Sequence, residues 1–189
     1  MWTSINKKMM IFLLAMLSIG IVVGVIFLIM QDEATKEILF LNINNSLQEG
    51  KNINNTLAHL FTICPIFILS LFIIGLPLVI FYLFYNGFTM GFIVTSLTNI
   101  FGIKGLLYGI IYAFITKGLF LILFLIFSIT IFKLAWSIIE NIFYKKRNKE
   151  TISVLFKKCL LTIALIFILD IILYFGGKPF LNLFTFLIQ

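Results

Sequence analysis

One histidine, two cysteines and seven acidic residues are all that this 189-residue chain offers for catalysis or metal binding. With His59 as the sole histidine, a two-histidine metal site cannot be assembled within one chain. The chain contains no Gly-x-Ser-x-Gly or His-Glu-x-x-His run and no Gly-rich phosphate loop. Cys64 and Cys159 stand in or beside apolar runs without a Cys-x-x-Cys spacing, which marks them as inert packed thiols. His59 reads as a polar residue at a helix end. These residues argue against an enzyme and call for no cofactor and no metal.

Asp170 is the residue with a chemical cost. It sits near the middle of the apolar run 159–177, where a carboxylate costs roughly 2.5–3.5 kcal/mol on insertion scales. Three fates are open to it: an ion pair across the bundle, with Lys133 as the candidate partner; a neutral, protonated acid; or a proton or ion relay.

What must position these residues is set by composition. Hydrophobic residues make up 62% and charged residues 11% of the chain, and the mean hydropathy is +1.18. A soluble domain carries about 25% charged residues, and a globule of this size cannot hide so much apolar surface. The composition therefore excludes soluble, disordered and disulfide-stapled classes. The expected fold is all-α, a polytopic transmembrane helical bundle forming a single membrane domain over 1–189. The net charge of +7 would suggest nucleic acid in a soluble protein. In a membrane chain it is a topology signal, and no nucleic-acid partner is expected.

Apolar runs predict spans at about 9–30, 60–85, 88–101, 119–139 and 159–177, each judged against a ~30 Å hydrocarbon core. The first follows Lys7 and Lys8. It is longer than a signal-peptide core and no small-x-small cleavage site follows it, so it reads as an uncleaved span. Gly20 and Gly24 form a small-xxx-small pair suited to close helix approach. The outer polar segment 31–59 carries four acids against two lysines, net −2. In it Ala34, Ile38 and Leu41 recur at helical spacing, the pattern of a short surface helix. No charged residue occurs from Asn52 to Ile103, a stretch long enough for two crossings. Gly75 and Pro77 predict a kink inside the second span, and Asn86-Gly87 a turn before the third. The third span carries Thr95, Ser96, Thr98 and Asn99, polar side chains that favour a lined cavity.

Gly102 and Gly105 predict a further break. The stretch 105–117, with Gly105 and Gly109 four apart, is too short to span comfortably and reads as a re-entrant or interfacial helix ended by Lys117-Gly118. Gly176-Gly177-Lys178-Pro179 predicts the end of the last span, with the apolar tail from Phe180 lying in the interface or packing on the bundle. The loop 140–158 has six basic residues (Lys145, Lys146, Arg147, Lys149, Lys157 and Lys158) against two acids, net +4. Such a cluster sets topology and can contact anionic lipid or a protein partner. Placing it and Lys7-Lys8 on the cytoplasmic side requires an even number of crossings between them. About five spans, N-in and C-out, in a bacterial cytoplasmic membrane satisfy that rule.

Three motifs in order then suggest a family. Gly75-Leu76-Pro77-Leu78-Val79-Ile80, Phe84-Tyr85-Asn86-Gly87-Phe88-Thr89-Met90-Gly91-Phe92 and Phe101-Gly102-Ile103-Lys104-Gly105-Leu106-Leu107 together resemble the stage II sporulation protein M (SpoIIM) family. Gly91 is the glycine of the family's entry into the third span. The segment Ala34-Thr35-Lys36-Glu37-Ile38-Leu39 after the first span also fits. Many members carry a Pro-His-Gly before the fourth span; this chain has Ile115-Thr116-Lys117-Gly118 there, so only the glycine matches. The resemblance implies a non-enzymatic membrane scaffold that positions cell-wall hydrolases during forespore engulfment. It implies as the alternative an accessory subunit for bacteriocin maturation, export or immunity, working with an ABC-type ATPase. The expected partners are the bilayer and other membrane proteins, and self-association is compatible with the glycine pattern.

Overall fold

The computed structural model describes residues 2–48, 58–72, 75–144 and 149–182. Lys145, Lys146, Arg147 and the tail 183–189 lie outside the described residues. Every element is helical: α1 (Trp2–Ile29), α2 (Glu33–Gln48), α3 (Ala58–Leu71), α4 (Gly75–Ala113), a π turn (Phe114–Gly118), α5 (Leu119–Tyr144) and α6 (Lys149–Asn182). No strand occurs among the described residues. Helix is the form expected in hydrocarbon, where each backbone amide must find its partner within its own segment.

Three stretches are long and apolar enough to cross a membrane: Lys7–Ile29, Gly75–Ile142 and Ile152–Leu173. The second holds 68 residues. A straight helix of that length would run ~100 Å, about three times a hydrocarbon core. The chain avoids this by folding back at Gly102, whose φ of 62° and ψ of −140° interrupt α4. Only glycine adopts such angles without a side-chain penalty. Beyond the break, Gly105 lies against the Leu97 backbone and Gly109 against Val94 and Leu97. Residues 103–113 therefore run antiparallel to the first arm of α4, residues 75–101.

The expected break at Asn86-Gly87 is absent, because both residues are inside the first arm of α4. Asn86 is buried and its side-chain amide donates to the Tyr82 carbonyl at 2.8 Å. The break lies instead between α3 and α4. There Gly75 presses on the Ser70 backbone, leaving no room for a Cβ. Pro77 does not kink a span. It stands in the first turn of α4, where its missing N–H would have had no partner. The predicted spans 60–85 and 88–101 thus become α3 and the first arm of α4.

Two further stops are also absent. Lys117-Gly118 does not end a helix, since the π turn carries the chain directly into α5 with the Leu119 N–H bonded to the Phe114 carbonyl. Nor does Gly176-Gly177-Lys178-Pro179 end α6, which continues to Asn182. The segment 105–117 is accordingly not a separate re-entrant helix. It is the leading part of one long helical passage that continues as α5.

The directions of the helices follow from who touches whom. Gly20 meets the Phe84 and Phe88 backbone, and Gly24 meets that of Phe88 and Phe92. Both sequences ascend together, so α1 and the first arm of α4 are parallel. Thr62 of α3 reaches Tyr82 while Ser70 meets Gly75, so α3 is antiparallel to that arm. Phe67 of α3 packs on Phe127 of α5 at 6.3 Å and on Phe156 of α6 at 5.5 Å. An aromatic column of Tyr82, Phe120, Phe124 and Phe127 fills the centre, with successive ring centroids 5.7–6.1 Å apart. Leu13, Ile63, Val79, Leu83, Ile131 and Ile166 close around it, all fully buried.

Helix α1 ends as Gln31 turns its side-chain amide back onto the Phe27 carbonyl at 3.3 Å. Asp32 then caps α2. A hydrogen bond from Thr35 holds its carboxyl below the usual range, the arrangement of a helix N-cap. Ala34, Ile38 and Leu41 are all exposed on α2, leaving their stripe free to rest on a membrane surface.

Candidate functional site

Asp170 is carried by α6 one turn beyond the fully buried Ile166, and it is itself only 2% exposed. Neither carboxyl oxygen has a hydrogen-bond partner among the described residues. That is costly, since a buried polar group without a partner forfeits its hydration with nothing in return.

The cation that acts on Asp170 is Lys117, and the expected pairing with Lys133 is not formed. Within 4.0 Å, the ion pair among the described residues is Lys36–Glu33 at 2.8 Å. Lys133 lies roughly four turns further along the same helical passage, too far to serve. The sequence reading missed Lys117 because it placed that lysine at a helix end. The available signal was a lysine and a glycine inside an otherwise apolar run, which suits a distorted turn as well as a terminus.

The π turn is what presents Lys117. Its wider turn accommodates one extra residue and shifts the register of everything after it, and such turns recur at functional sites. Thr116, buried beside Lys117, donates to the Tyr112 carbonyl at 2.7 Å. From α4, Tyr82 faces the same region. It shares side-chain hydrogen bonds with Asn86 and Thr62 and lies in the field of Asp170. The centre thus draws on four elements: α3 (Thr62), α4 (Tyr82, Asn86), the π turn (Lys117) and α6 (Asp170).

Both Lys117 and Asp170 stand well inside their helical segments. Lys117 lies ~20 Å along the helix from Lys104, and Asp170 ~20 Å from Lys157, at ~1.5 Å per residue. No family model matches the chain. Neither a curated protein nor a solved structure is similar to it.

The other singled-out residues fall elsewhere. Gly20, Gly24, Gly87 and Gly91 form the α1–α4 contact. A Cβ on any of them would collide with a backbone carbonyl of the opposite helix, namely that of Phe84, Phe88, Leu17 and Ile21 respectively. Lys157 and Lys158 are exposed on α6, and Lys149 begins that helix. Thr95, Ser96 and Thr98 do not line a cavity with free hydroxyls. Each donates to a carbonyl one turn back in its own helix, at 2.7–2.9 Å, and Asn99 is exposed. Cys159 is buried and Cys64 exposed, both as free thiols. Among the described residues no three His, Cys, Asp or Glu side chains gather as metal ligands.

Proposed function

We propose that the chain is a five-passage protein of the bacterial cytoplasmic membrane, N-in and C-out, acting as a non-enzymatic scaffold of the SpoIIM type. Its outer helix α2 and helical bundle position peptidoglycan-remodelling partners. The observation that supports five passages is the parallel packing of α1 on the first arm of α4, which a return passage through 58–71 would allow. The fold-back at Gly102 and the packing of α6 back along α5, with Phe127 and Phe156 both on Phe67 and Lys117 near Asp170, support a fourth and a fifth. Lys7-Lys8 and the basic segment around 149–158 then share one face, as the positive-inside rule asks. Trp136, exposed on α5 and bonded to Glu140 at 2.9 Å, suits the interface on that face.

The ordered motifs of residues 75–107 and the exposed apolar stripe of the Asp32-capped helix α2 support the scaffold role. The second reading, an accessory subunit for export of or immunity to a membrane-active peptide beside an ABC-type ATPase, is favoured by one observation, the buried carboxyl of Asp170.

Topology is tested by cysteine labelling in a variant lacking Cys64 and Cys159. Glu37→Cys reacts with an impermeant maleimide in intact cells, and Lys157→Cys reacts only after permeabilisation. The reverse pattern overturns the orientation, and labelling of both positions from outside overturns the passage count. For function, deletion in a spore-forming host is expected to stall engulfment. Normal engulfment with new sensitivity to a co-produced peptide overturns the scaffold and selects the second reading.

A further inference from the structure

We propose that Asp170 and Lys117 form a proton-binding centre inside the bundle, in which the Asp170 carboxyl takes up and releases a proton and Lys117 sets the balance. The inference uses the depth that the five-passage reading assigns to the two residues, and it is indifferent to whether the chain acts as a scaffold or in export.

Three observations carry it. Asp170 is 2% exposed with both oxygens unpartnered among the described residues. A carboxylate so placed is held only by a nearby opposite charge, and otherwise by becoming a neutral acid. Lys117 is the cation acting on it, yet the two do not close into an ion pair within 4.0 Å. At that looser separation attraction offsets only part of the desolvation cost. No closed ion pair and no hydrogen bond therefore holds the carboxyl in its ionised form among the described residues, which is the condition for a site that exchanges protons rather than one locked as a salt bridge. Finally, Lys117 stands on a π turn, a distortion that can relax to α-helix by moving one residue through the turn. A change of charge at Asp170 thus has an element to act on.

The titratable groups facing Asp170 are Lys117 from the π turn and Tyr82 from α4. Tyr82 is engaged with Thr62 and Asn86. In the exchange, hydronium delivers a proton to one carboxyl oxygen. An O–H bond forms there, one O–H bond of hydronium breaks, and water leaves. The ligand is the proton itself.

The chain holds two aspartates, Asp32 and Asp170, so the site can be watched without altering it. Full-length protein in lipid is prepared with isotope-labelled aspartate and the Asp32→Asn substitution, and its infrared spectrum is followed against pH. The expected result is an isotope-shifted carboxylic-acid C=O band, present in mild acid and lost in mild alkali. In Lys117→Met the band persists at pH values where the parent has lost it, because the carboxylate has lost its cation. Lys117→Arg keeps the charge and follows the parent. A parent spectrum with no such band at any pH at which the protein is folded overturns the proposal, as does a band that pH leaves unchanged. So does Lys117→Arg behaving like Lys117→Met. A failed topology with an intact pH-dependent band would sink the passage reading alone.

Discussion

Gly91→Leu abolishes the folded bundle, and Gly24→Leu does the same from the opposite helix. At Gly91 an added Cβ would overlap the Ile21 carbonyl, and at Gly24 the Phe88 carbonyl. Both obstacles are backbone, so no side-chain rotamer can move aside. Alanine alone forces α1 and α4 apart at a cost of about 1–3 kcal/mol, the usual range for overpacking. Leucine exceeds that and removes the interface altogether, because helix association in lipid depends on the close approach that small residues permit. The measurement is thermal unfolding of purified protein in detergent, together with the yield of monodisperse material. Val23→Leu, a lipid-facing change on the same helix at a 38% exposed position, leaves both unchanged. Recovery of Gly91→Leu with the parent melting temperature would falsify the parallel α1–α4 packing.

Lys117→Met destabilises the protein by about 2 kcal/mol, and adding Asp170→Leu returns most of that loss. Removing one member of a buried charge pair costs roughly 3–5 kcal/mol when the other must remain charged, whereas replacing both by apolar groups is often neutral or stabilising. The cost here is smaller because Asp170 can neutralise itself with a proton. The pair is thus non-additive, and Lys133→Met with Asp170→Leu is additive, since Lys133 does not face Asp170. Unfolding free energies of the single and double variants form the cycle that checks this. Additive losses for Lys117 and Asp170 remove the coupling on which the centre rests.

Periodicity and small residues carried much of this architecture on their face. The uncharged run after Lys8 marked α1, the acidic segment marked α2, and Gly20 and Gly24 marked a packing face. What they faced could not be read, because a small-xxx-small pair specifies closeness and not a partner. Asn86-Gly87 shows the reverse case. In water the pair is a turn signal, yet here Asn86 satisfies its amide on the Tyr82 carbonyl and Gly87 is needed for the approach of Leu17. The turn sits at Gly75 and Gly102 instead. Local sequence offered all these glycines as equal candidates, and among the described residues only Gly102 takes a positive φ.

The candidate centre divides the same way. Asp170 was legible alone, since any carboxyl in the middle of an apolar run is conspicuous by its solvation cost. Its partner was not. Choosing between Lys117 and Lys133 depends on where the chain folds back and on whether Lys117-Gly118 ends a helix or widens one. Composition and residue order therefore determined a helical membrane protein, the sidedness signal in its charges and the one costly acid. Tertiary structure decided which glycine faces which carbonyl, where the chain reverses and which lysine stands near the acid. Burial and charge are properties of residues, whereas contacts across ~100 Å of folded helix are set by the geometry of packing.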